Sequence, residues 1–176
     1  MTLKRMTPAE FRRLRDADPY YKNRWPYLSE ASRQVRSLSP STALELGPYR
    51  RPLFAGSDVM DLRDNLLGES VTWQWDATNT PWPVADKAYD VFIALQVWEH
   101  LGGAQARAFA EVQRVARSAV LSFPYKWRLK DTSNCHHGID QAKILAWTKG
   151  VKPKRSVIVD KPNPATRRMI CVYDFR

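Results

Sequence analysis

YDVFIALQVWEHL, residues 89–101, runs without a polar interruption from Val91 to Leu95 and then turns polar at Gln96. An apolar run of strand length that does not alternate is the pattern of a strand buried on both faces, which belongs inside a parallel sheet. The polar residues that follow, Gln96, Glu99 and His100, then stand beyond the strand's carboxyl end, the edge at which open α/β sheets bind ligands.

Working outward, TALEL (42–46), SDVM (57–60) and VTWQW (71–75) precede this run, and SAVLSF (118–123), RSVIV (155–159) and MICVYDF (169–175) follow it, giving seven expected strands. Between the fourth and fifth, AQARAFAEVQRVAR carries Ala106, Phe109, Val112 and Ala116 at helical spacing, and QAKILAWT lies between the fifth and sixth. Strands alternating with helices predict a mostly parallel sheet covered on both faces. The step from Leu46 to Ser57 contains Pro48, Pro52 and Gly56, so the first crossover is expected to be a compressed loop or a single helical turn. RSVIVDK and MICVYDF, separated only by PNPATRR, suit an antiparallel hairpin at a sheet edge.

The first forty residues read differently. Thr7-Pro8-Ala9-Glu10 is a capping box with proline at the first helical position. DPYYKNRWPYLSE follows, aromatic and basic, and Ser29 is placed to cap a second helix carrying Ala31, Val35 and Leu38 on one side. Residues 1–40 are therefore expected to form a helical cover over an α/β unit at 41–176, the whole as one compact domain.

Among the 176 residues are 28 Lys and Arg against 18 Asp and Glu, a formal net charge of +10 that favours acidic partners. The two cysteines, Cys135 and Cys171, are too few for a disulfide scaffold and fit a reducing cytoplasm. No apolar stretch is long enough to span a membrane, and MTLKRMTPAEFRRLR has no signal-peptide core, so a cytoplasmic protein without a membrane partner is expected.

The strand ends carry Glu45-Leu46-Gly47-Pro48, then Asp58 and Asp61, then Trp75-Asp76-Ala77, and finally Gln96 to His100, so four successive strands offer a carboxylate at one edge. With the E-x-G pattern of Glu45 and Gly47, the WDAT of residues 75–78, the PWPVADKAYDV of 81–91 and the EHL of 99–101, the stretch from Ala43 to Phe175 resembles the class I S-adenosylmethionine-dependent methyltransferases, in particular the small-molecule, methyltransferase type 11-like branch. The resemblance implies a Rossmann-like, seven-stranded, mostly parallel sheet whose last strand is antiparallel. It implies S-adenosylmethionine as cofactor, with Glu45, Gly47 and Pro48 at its methionine end and Asp61, or next to it Asp58, at the ribose. Asp76 and Ala77 would meet the adenine, and Gln96, Trp98 and His100 would line the sulfonium and substrate side. A carboxylate accepts two charge-assisted hydrogen bonds from a ribose diol, glycine permits close backbone approach, and aromatic faces such as Tyr49, Trp82 and Trp98 can hold a sulfonium cation. The chain departs from the family where Pro48 and Tyr49 replace the expected repeat of glycine.

Methyl transfer is a direct displacement, so a base matters chiefly for a hydroxyl acceptor. DTSNCHHGID (131–140) follows the fifth strand and faces the same edge. Either His136 or His137 is expected as general base or substrate ligand, oriented by Asp140 or Asp131, and the same four residues are candidates to gather a divalent ion such as magnesium. The expected activity is O-methylation of a small polar metabolite such as a sugar. RNA methylation is the alternative, prompted by Arg12, Arg13, Arg15, Lys22, Arg24, Arg33 and Arg36 interleaved with Tyr20, Tyr21 and Trp25. A catalytically inactive cofactor-binding module is a third reading, and the lack of a large lid makes a homodimer an expected way to cover the substrate.

Overall fold

In the computed structural model, which describes residues 3–160 and 166–176, Thr7 caps the first helix as its sequence requires. The Thr7 hydroxyl accepts from the Glu10 amide and the Glu10 carboxylate accepts from the Thr7 amide, opening α1 (Pro8–Ala17). A single 3₁₀ turn, Pro19–Tyr21, leads to α2 (Trp25–Arg36), which begins four residues before the Ser29 cap expected from sequence because Pro26 starts the helix itself. Tyr27, Ala31 and Val35 of α2 pack on Val91, Ile93, Val120, Ile170 and Val172 of the sheet.

The seven main strands are β1 (Ala43–Leu46), β2 (Asp58–Asp61), β3 (Trp73–Gln74), β4 (Val91–Leu95), β5 (Ser118–Pro124), β6 (Arg155–Val159) and β7 (Arg168–Asp174). Their order is β6-β7-β5-β4-β1-β2-β3. All neighbours from β5 to β3 are parallel, whereas β7 runs antiparallel to both β5 and β6. The hairpin is therefore present, but its second strand is not the outermost one. β7 is buried along almost its whole length and takes the inner position, leaving the more exposed β6 at the edge. The turn expected at residues 162–168 lies mostly outside the described residues.

On the second face, α3 (Gln105–Val115) buries Ala108, Phe109, Val112 and Val115, and α4 (Gln141–Trp147) buries Ile144. These side chains join Phe92, Trp98, Leu121 and Tyr173 in the larger core cluster. The first crossover carries no helix: its strand Phe54–Ala55 pairs with Lys4–Arg5, a contact the sequence does not announce. The second crossover is likewise replaced by a small hairpin, Asn65–Leu66 with Glu69–Ser70. No helix among the described residues is long and apolar enough to cross a membrane.

Candidate active site

The strand order reverses between β1 and β4, so the crevice outside their carboxyl ends is the place to look for a ligand. Gly47 turns the chain out of β1 with φ +60°, and a Cβ there would lie 3.1 Å from the Val97 side chain, so both backbone and space call for glycine. Across the switch point Gln96 also adopts a positive φ, +59°. Its amide donates to the Ser122 hydroxyl at 3.1 Å, and that hydroxyl pairs with the buried Tyr27 hydroxyl at 2.8 Å. The N-terminal helix thus touches the site directly. A narrow cleft opens here, lined among others by Tyr20, Arg24, Tyr27, Glu45, Pro48 and Tyr49. A larger cleft, of about 470 Å³, lies beside residues 50–57 and contains none of the expected site residues.

Glu45 does not offer a free carboxylate. It is 3 % exposed and accepts from the Leu53 amide at 2.7 Å, the Phe54 amide at 2.9 Å and the Ser57 hydroxyl at 2.8 Å. It straps the helix-free first crossover to the sheet, and burial pushes its carboxyl up to about 7 against the lowering effect of those donors. Asp61 is buried at the end of β2 and held by Arg63, whose Nε and Nη2 reach its two oxygens at 3.0 and 2.8 Å. The same guanidinium donates to the carbonyls of Tyr49 and Pro48, closing the loop after β1 over Asp61. Asp76 accepts from the Thr78 amide and hydroxyl, both at 2.8 Å, and the buried Ala77 carbonyl accepts from the Trp82 indole.

Two aromatic expectations are corrected. Trp98 is 0 % exposed, with its ring edge-on to Phe92 and Phe109, and Trp82 stacks on Phe92. Both face the core and present no face to a bound ligand. Tyr49 is exposed and stacks on Tyr20, with centroids 3.9 Å apart, at the cleft.

The residues of 131–140 separate in the structure. Asp131 turns to the Ser133 amide and hydroxyl, Asp140 caps α4 through the Lys143 amide, and His137 Nδ1 accepts from the Leu129 amide. None of the three orients His136, and the expected four-residue metal set does not assemble. His136 instead meets His100 across the edge, with ring centroids 4.9 Å apart, and stacks on Trp127. Cys135 Sγ lies 3.5 Å from Nδ1 of both imidazoles. The carboxylate that approaches is Glu99, with Oε1 3.8 Å from His136 Nε2. Burial pushes Glu99 up to about 7 and, helped by the neighbouring His100, holds His136 below the ordinary imidazole value. Glu99 and Cys135 were legible only as neighbours of histidines; the pairing across 35 residues is a product of the fold.

No family model matches the chain, and no curated protein matches it. Solved structures do. A SAM-dependent methyltransferase from Aquifex aeolicus aligns over 98% of this chain and 100% of its own at 14% identity, with a TM-score of 0.59. A SAM-dependent methyltransferase described as a possible histamine N-methyltransferase, from Thermotoga maritima, covers 94% and 98% at 12% identity with a TM-score of 0.60. The N-methyltransferase NodS from Bradyrhizobium japonicum WM9, in complex with S-adenosyl-L-homocysteine, covers 83% and 85% at 14% identity with a TM-score of 0.58. At such identities the likeness speaks for architecture, and it agrees with the strand order, the inserted antiparallel strand and the crevice described above: the chain has the class I S-adenosylmethionine-dependent methyltransferase fold.

Proposed function

We propose that the protein is an S-adenosylmethionine-dependent methyltransferase that methylates a hydroxyl of a small polar metabolite, with sugars as the substrate class. The observation that carries this reading is the shared edge: the buried Asp61, the Gly47 turn and Gln96 lie at the strand ends beside the switch point, and His100, just after β4, meets His136 from the loop after β5. In this reading Asp61 grips the ribose diol after Arg63 swings aside, Asp76 and Ala77 border the adenine, and Gly47 with Pro48 meets the methionine end. Gln96 lies near the sulfonium. The acceptor stands at the His100, Cys135 and His136 cluster, where its proton is drawn off, while His137 and Asp140 shape the loop that carries His136. Enclosure comes from Tyr20, Arg24 and Tyr27 at the cleft, so the N-terminal helices serve as the cover.

Titration calorimetry with S-adenosylmethionine and S-adenosylhomocysteine tests the cofactor half; micromolar binding that Asp61→Ala weakens by about 1.5–3 kcal/mol is expected. Labelled methyl transfer to sugars, to amines and to a short RNA tests the acceptor. The amine arm is included because one structural neighbour is described as an N-methyltransferase and another as a possible histamine N-methyltransferase. Transfer to sugars that His136→Ala lowers with cofactor affinity kept supports the proposal. Transfer to amines alone, or to RNA with a steep salt dependence, replaces its acceptor class, and no cofactor binding overturns it.

A further inference from the structure

We propose that His100, Cys135 and His136 form a binding site for a divalent cation of the zinc class, with Glu99 as the carboxylate that positions His136. Their ligand atoms all lie within 4.8 Å of one another, the one such group among the described residues. Cys135 Sγ stands 3.5 Å from His100 Nδ1 and 3.5 Å from His136 Nδ1. Zinc bonds of about 2.3 Å to sulfur and about 2.0–2.1 Å to nitrogen, at a tetrahedral angle, put sulfur and nitrogen about 3.5 Å apart. Two edges of the tetrahedron are therefore already at length, and only the imidazole–imidazole edge has to close.

Glu99 supplies an independent reason. Its side chain is 0 % exposed, and neither carboxylate oxygen has a hydrogen-bond partner among the described residues. Arg24 and Arg168 act on it through space but donate no hydrogen bond to it. A buried carboxylate left in that condition is costly, and a cation bound beside it relieves the cost. The contact from Oε1 to His136 Nε2, 3.8 Å, faces away from the Nδ1 that points at Cys135. With Nδ1 on the ion, the imidazole proton sits on Nε2 and is directed at Glu99, the carboxylate–histidine–metal arrangement that fixes ring orientation and raises ligand basicity. Nδ1 now bonds Asn134 Oδ1 at 2.8 Å, and ion binding exchanges that bond for the metal.

Two imidazoles and a thiolate select zinc or cobalt over magnesium, whose preference is for oxygen, so the donor set does not fit the magnesium expected from sequence. Three protein ligands leave a tetrahedral ion one open position, and His100 and Cys135 are exposed, so that position is open to solvent and to a ligand oxygen. Placing the acceptor hydroxyl there rests on the function proposed above; binding of the ion does not.

The full chain, stripped of metal with a chelator, is titrated with Zn²⁺, Co²⁺ and Mg²⁺ by calorimetry and by the visible absorption of Co²⁺. Expected are one tight Zn²⁺ per chain, tetrahedral Co²⁺ bands with a thiolate charge-transfer band, and no Mg²⁺ heat. Cys135→Ser and His100→Ala each remove the charge-transfer band or weaken Zn²⁺ at least 100-fold, and Glu99→Gln weakens it about 10-fold. Failure to bind Zn²⁺, or Zn²⁺ binding that neither ligand variant changes, overturns the site; circular dichroism of these surface variants separates loss of a ligand from loss of fold. S-adenosylmethionine binding measured on the same samples keeps the two proposals apart. Zinc bound without cofactor sinks the methyltransferase reading alone, and cofactor bound without zinc sinks the metal site alone.

Discussion

Removing the Arg63 side chain should tighten cofactor binding, although the substitution deletes an ion pair at the edge of the site. In the function proposed above Asp61 grips the ribose diol, yet Arg63 occupies both of its oxygens, at 3.0 and 2.8 Å, and is anchored further on the carbonyls of Tyr49 at 2.8 Å and Pro48 at 3.2 Å. The diol must displace the guanidinium before it can bond. Asp61's side chain is 7% exposed but that of Arg63 is 48% exposed, so the pair is well screened and contributes no more than about 1 kcal/mol. The two carbonyl bonds, also near solvent, add roughly 0.5 kcal/mol each at the low end of the usual range. Displacement therefore costs about 1–2 kcal/mol, and Arg63→Ala should lower the dissociation constant for S-adenosylhomocysteine by about 5- to 30-fold at 1.4 kcal/mol per decade. Calorimetry of wild type, Arg63→Ala and Arg63→Lys reads this directly. Equal or weaker binding by Arg63→Ala would refute the displacement and make Arg63 part of the bound site.

Three further outcomes follow from the packing. Glu45 has a folded value of about 7 above its ordinary 4.5, raised mainly by burial, so its contribution to stability is full below about pH 4.5 and is lost as pH rises through 7. Up to about 3 kcal/mol should disappear between pH 5 and 8 in urea unfolding, and Glu45→Gln should flatten that slope; parallel profiles would show that Glu45 does not titrate there. Trp98→Ala should cost about 3–5 kcal/mol, because the indole is fully buried against Phe92 and Phe109, and a loss under 1 kcal/mol would take the ring out of the core. Tyr27→Phe leaves Ser122 without its 2.8 Å partner and should cost about 1–2 kcal/mol in the same assay, with no change meaning that the bond does not tie α2 to the Gln96 turn.

What the sequence made legible was what local chemistry decides. The unbroken run Val91–Leu95, the capping box at Thr7 and the spacing of Phe109 and Val112 each report burial or hydrogen bonding within a few residues, and each element stands where its pattern puts it. β3 is shorter than its pattern: of VTWQW only Trp73–Gln74 pairs, since a strand on the open edge is limited by its single neighbour β2. The site was harder because its partners are distant in sequence. Two adjacent histidines in a polar loop look alike, and only the fold sends His137 to the Leu129 amide and His136 to His100 and Glu99. Likewise the E-x-G pattern marks a glutamate at the end of β1, but the short crossover claims that carboxylate for its own amides.

That short crossover has an electrostatic consequence. A helix following β1 would aim the positive end of its macrodipole and a row of free amides at any anion resting on the Gly47 turn. Here the amides of Leu53 and Phe54 are turned inward to Glu45, Arg50 is paired with Asp18, and the segment presents the exposed side chain of Arg51. Fixed, weakly screened partial charges are thus exchanged for one whole charge, on the jointed arm of Arg51, that water and salt reach easily. Attraction of an anionic ligand to this end of the sheet should accordingly fade with ionic strength much faster than it does where a helix performs the same task.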